Sequence, residues 1–144
     1  MADGKCLMGY EIGLCHDLLE DTDCTVHELR DALKRFGYND FEIICILRPV
    51  VALTDIWTPE YAPLLNRAKR KKFEAERLHT VSPEAQTVKY CDIINNAESI
   101  LQHDPKFAKV YISEMKDVLE GMNKGHKGLY KKALKAVNQI NQIV

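Results

Sequence analysis

The chain has 144 residues, 46% of them apolar, and a formal net charge of −1. That length suits one domain whose core stands without disulfides or a structural metal, and the balanced charge removes any bulk case for nucleic-acid binding. No apolar run approaches the roughly 18 residues of a membrane-spanning helix, and Met1 to Gly9 lack the basic start and long apolar stretch of a signal peptide.

Cys6, Cys15, Cys24, Cys45 and Cys91 are scattered and odd in number, with no Cys-x-x-Cys pair. They read as reduced thiols among apolar neighbours in a cytoplasmic protein, and their spacing excludes a zinc finger.

In chain order the apolar spacing is helical almost throughout. Tyr10 to about Glu20 carries a stripe of Ile12, Leu14, Cys15, Leu18 and Leu19. Thr25-Val26-His27-Glu28 is a capping box that opens a helix through Leu29, Ala32, Leu33 and Phe36, which Gly37 stops. Asp40 to about Leu53 is strand-like in composition, but its length favours a buried helix, with Pro49 expected to kink or end it. Asp55 to Thr58 is a loop holding Trp57, and Pro59 suits a helix start before a very basic helix from Tyr61 to Leu78. Ser82-Pro83 opens a helix to about Gln102, and Asp104-Pro105 opens another to about Leu119, broken by Gly121 and Gly125. A last helix starts near Gly128 and runs past Ile140 and Ile143, where it can cover the core or another subunit of a homo-oligomer. The expected fold is all-α, a compact bundle of about six or seven helices in one domain over 1–144.

On these helices His16 and Glu20 are four apart, as are Asp17 and Asp21, so each pair lies along one face. An imidazole and a carboxylate at adjacent positions can bind one divalent cation between them. Lys89, Asp92 and Asn96 form a polar stripe on an otherwise apolar helix. A carboxylate there needs compensation, which a metal would supply.

The run His16-Asp17-Leu18-Leu19-Glu20-Asp21-Thr22 resembles the HD-domain metal-dependent phosphohydrolases, and within them the RelA/SpoT-type hydrolases of guanosine tetraphosphate. The resemblance continues in order through Thr25 to Gly37, the apolar helix ending in Leu53-Thr54, the basic Asn66 to Leu78 helix, and Val88-Lys89-Tyr90-Cys91-Asp92 with Asn96. It implies an HD-type helical bundle with one divalent metal, most often Mn²⁺, held by His16, Asp17 and Asp92. Fe²⁺ and Mg²⁺ also suit oxygen and imidazole donors. It implies Glu20 and Asp21 as the pair that positions or deprotonates the attacking water, and Asn96 as a nucleotide contact. One element differs: the family carries a further metal-binding His on an upstream helix, and the 15 residues before His16 contain none. His27, His79, His103 and His126 do not match that position. Two readings follow, a chain lacking the family's N-terminal helix or a site with one ligand fewer and weaker metal binding.

Arg67, Arg70 and Lys71 in the basic helix can clamp phosphates, or they can belong to a solvated face with partners such as Arg70-Glu74. Trp57 and Tyr61 can flank a base or simply pack their loop. The expected function is hydrolysis of a nucleotide or phosphorylated small molecule, with guanosine tetraphosphate the substrate class implied by resemblance. The alternative is a degenerate HD-fold module that binds a nucleotide or a partner protein without turnover.

Overall fold

The computed structural model describes residues 8–144, so Cys6 and the reading of the first residues lie outside the described part. The fold is all-α, as the periodicity predicts. Among the described residues there are eight helical segments: α1 Gly9–Cys15, α2 Leu18–Asp21 (a single turn), α3 Val26–Arg35, α4 Asp40–Leu53, α5 Arg67–Leu78, α6 Pro83–His103, α7 Pro105–Gly121 and α8 Lys127–Ile143. No described helix is long and apolar enough to cross a membrane. The helices fall into two compact units, one ending at Asp55 and one spanning Ile56–Val144.

In the N-terminal unit α4 packs on α1 and α3. Ile12, Leu29, Leu33, Ile43, Ile46, Val50 and Leu53 are buried. The single helix expected from Tyr10 to Glu20 is two, with His16 and Asp17 at the break. The cause is local: His16 Nδ1 bonds the Gly13 carbonyl at 2.7 Å, the acceptor that the amide of residue 17 takes in a continuous helix.

The Thr25–Glu28 capping box forms as expected. At the far end of α3, Gly37 takes φ 95°, and the Gly37 and Tyr38 amides close on the Lys34 and Leu33 carbonyls. That is a Schellman stop. Asn39 and Glu42 make a second capping box at the start of α4, which the sequence reading missed. Pro49 does not end α4, which continues to Leu53. The proline removes one donor, and burial of Ile46, Val50 and Leu53 around it outweighs that loss. Nor is α4 buried all round: Phe41, Ile44 and Val51 are exposed.

In the C-terminal unit the expected helix start at Pro59 is absent, and α5 begins only at Arg67. Pro59 and Pro63 are four apart, so a helix through both would drive the second ring into the first carbonyl. Asn66 caps α5 instead, accepting the Lys69 amide at 2.9 Å. The preceding loop is held by Trp57 packed on Tyr61 and Phe73, with ring centroids 5.6 and 4.9 Å apart. Buried Glu74 accepts the Ile56 and Trp57 amides at 3.1 Å each and pairs with Arg77.

Helices α6 and α7 start at Ser82-Pro83 and Asp104-Pro105, as their sequences predict. Helix α6 packs against α7 and α8. Its buried Gln86, Thr87 and Tyr90 accept three successive amides of the α7–α8 loop, those of Lys124, His126 and Gly125 respectively. The Tyr90 hydroxyl also donates to the Met122 carbonyl. Gly125 is required here, since a Cβ would stand 2.7 Å from the Tyr90 ring and 2.9 Å from the Thr87 backbone nitrogen.

Candidate metal centre

The doublet sits where α1 gives way to α2. The Gly13 carbonyl that ends α1 accepts from His16 Nδ1–H, which leaves the buried Nε2 3.0 Å from Asp17 Oδ1. A bare lone pair and a carboxylate oxygen at that distance repel. A cation, either a proton on Nε2 or a metal ion, converts the contact into attraction. A backbone carbonyl fixing the far ring nitrogen is also how ligating histidines are commonly oriented. The Asp17 side chain is 56% exposed, so its carboxylate reorients at little desolvation cost.

Glu20 and Asp21 occupy the single turn that follows. Glu20 does not align with His16 along an unbroken helix face, because the helix breaks at the doublet. Its carboxylate accepts the Asp55 amide. Asp21 is exposed. Thr22 closes the turn by donating to the Leu18 carbonyl at 2.6 Å.

Asp92 lies in the middle of α6 with a side chain only 10% exposed. Both its oxygens are engaged: Oδ2 accepts from Lys89 Nζ at 2.8 Å and Oδ1 from Asn96 Nδ2 at 2.7 Å. The polar stripe read from the sequence is thus a hydrogen-bonded set in which the Lys89 ammonium pairs with Asp92. Tyr111 of α7 lies beside this set. Burial first, then the Asp92 charge, pushes its phenol well above the ordinary value of 10.0, against a smaller opposing effect of Asn96.

The cysteines next to the candidate ligands carry no thiolate signal. Burial raises the Cys15 thiol above its ordinary value, helped by Cys24 and Glu11, and burial likewise raises Cys91. Cys15, Cys24, Cys45 and Cys91 are all free. The donor set is therefore imidazole and carboxylate, the chemistry of Mn²⁺, Fe²⁺ and Mg²⁺ rather than of a thiolate-rich zinc site.

The basic helix is largely committed to its own unit. Arg67 forms a two-pronged pair with Glu114 at 2.8 and 2.9 Å, and its guanidinium stacks 5.2 Å from the Phe107 ring centroid. Arg70 donates to the Leu65 carbonyl, and Glu74 takes Arg77. Lys71 is half-buried. The other histidines have structural partners or solvent: His79 contacts the Asp117 carbonyl, His103 the Ser99 carbonyl, and His126 caps α8, while His27 is exposed on α3.

Sequence reasoning put Lys89 in the polar stripe without pairing it with Asp92, and did not single out Tyr111. The three-residue spacing of Lys89 and Asp92 on one helix was the available signal for the first. No local signal exists for the second, which depends on how α6 and α7 pack. In comparisons with known proteins, no protein-family model, no curated protein and no solved structure matches the chain.

Proposed function

We propose that the protein is an HD-type metal-dependent phosphohydrolase acting on a nucleotide or nucleotide pyrophosphate in the cytoplasm. What carries this reading is the doublet: a backbone carbonyl fixes one face of the His16 ring and leaves the other beside the Asp17 carboxylate. Its second support is the resemblance in the order of the motifs, from His16-Asp17 through Glu20-Asp21 to Lys89-Tyr90-Cys91-Asp92 and Asn96.

His16, Asp17 and Asp92 would hold one divalent ion, Mn²⁺ being the one the family resemblance implies and Fe²⁺ or Mg²⁺ the alternatives that the donors also suit. Such an ion lowers the pKa of a bound water and neutralises charge on the leaving pyrophosphate. Exposed Asp21 accepts the proton of the attacking water, and Glu20, tied to the Asp55 amide, fixes the turn that presents Asp21. Asn96 orients the nucleotide by hydrogen bonding. Arg67, Arg70 and Lys71 are the phosphate contacts of this reading, with Arg67 to be released from Glu114 and Arg70 from the Leu65 carbonyl.

A second reading has its own observation. The carboxylate of Glu20 serves the backbone of Asp55 and that of Asp92 serves Lys89, as they would in a module that binds a nucleotide or a partner protein without turnover. Incubation with guanosine tetraphosphate and other nucleotide pyrophosphates in Mn²⁺ separates the two. Release of pyrophosphate that is abolished in His16→Ala supports the hydrolase. Saturable nucleotide binding with no product supports the module.

A further inference from the structure

Lys89 and Asp92 are one helical turn apart on the same rigid helix, and the Lys89 ammonium sits 2.8 Å from Asp92 Oδ2. The side chains are 21% and 10% exposed. A carboxylate this enclosed is poorly hydrated, so the cation bonded to it is an important part of its compensation. Asn96 holds the other oxygen from the opposite direction, which fixes the carboxylate plane and aims Oδ2 at the ammonium. A divalent ion on this carboxylate and an ammonium bonded to it would be neighbouring like charges in a partly dehydrated pocket, where they repel strongly.

We propose that Lys89 is a built-in competitor for the metal at Asp92: it neutralises the carboxylate while the ion is absent and swings away when the ion binds. The inference rests on the metal-site reading above and adds its regulation. The long alkyl stem of lysine lets the head turn to solvent without unfolding the helix, and the partial exposure of Lys89 leaves it a route. Lys89 thus sets a threshold: metal affinity is lower than the donors alone would give, and the carboxylate is never left bare.

A residue that merely holds Asp92 in place has the opposite consequence, because its removal loosens the ligand and weakens the metal. Calorimetric titration with Mn²⁺ on the wild type, Lys89→Met and the milder Lys89→Gln distinguishes them, with helix content followed by circular dichroism. Competition predicts Mn²⁺ binding at least ten-fold tighter in both variants. It also predicts a melting temperature below wild type without metal that recovers when Mn²⁺ is added. Unchanged or weaker binding in folded variants, beside a wild type that binds Mn²⁺, overturns the competitor while leaving the metal site standing. No Mn²⁺ binding by any of the three proteins overturns both.

Discussion

His16 and Asp17 stand at a break between two short helices, and the Asp17 carboxylate is largely open to solvent. Asp92 stands in the middle of a 21-residue helix, enclosed, with both oxygens already bonded. On the proposed reading the two regions would resist a metal for different reasons. At the doublet the cost is ordering a solvated carboxylate beside an imidazole. At Asp92 the geometry is already set, and the cost is displacing Lys89. One candidate ligand region is thus solvated and short-helical, the other enclosed and rigid.

The rigidity of the Asp92 side rests on the clasp between α6 and the α7–α8 loop, which gives the largest expected effect on stability. Gly125→Ala places a Cβ against the Tyr90 ring and the Thr87 backbone, and should cost about 1–3 kcal/mol or more. Thermal denaturation reads this as a clear fall in melting temperature. An unchanged value would mean the loop gives way freely and that α6 is not braced there.

The contested state of Asp92 gives the next effect. Without metal, Lys89→Met leaves an enclosed carboxylate with one partner fewer and should cost about 1–3 kcal/mol. The double variant Lys89→Met/Asp92→Leu should regain most of that loss, because an apolar pair needs no compensation. Urea denaturation of the single and double variants tests it. Simple additivity would show that the pair is not coupled.

The smallest effect sharpens the other side, where capping boxes at Thr25 and Asn39 hold α3 and α4. The Thr25 amide, then its hydroxyl, lowers the Glu28 carboxyl below its ordinary value of 4.5. A lowered folded-state value stabilises the fold above the unfolded-state value, and that gain is lost as pH falls through the folded one. Glu28→Gln should therefore melt slightly below wild type at neutral pH, with the gap closing as pH drops below about 4.5. A gap that persists in acid would show that the charge of Glu28 contributes nothing.

Much of the fold was legible in the sequence because its signals are local. Thr25–Glu28, Ser82-Pro83 and Asp104-Pro105 mark helix starts within four residues, and Gly37 marks a stop by its backbone conformation. The errors came where a distant or competing interaction wins. The break at His16 follows from a side chain taking a backbone carbonyl, and the late start of α5 from two prolines acting together. Helix α4 keeps its expected bounds of Asp40 to Leu53, and Pro49 does not end it because the packing around it outweighs one lost donor. In the candidate site the residue types and their order were legible, whereas the partners of Asp92, Glu20 and Arg67 were not. Lys89, the Asp55 amide and Glu114 acquire those roles only through side-chain rotamers and tertiary packing.

The proposed function takes His16, Asp17 and Asp92 as ligands of one ion. Mn²⁺ titration of the wild type, His16→Ala and Asp92→Ala, each checked for retained helix content, tests it most directly. The account predicts about one Mn²⁺ per wild-type chain and loss of that binding in both variants, as expected when ligands contribute jointly to one site. Retention of the wild-type stoichiometry and affinity in either folded variant would contradict it.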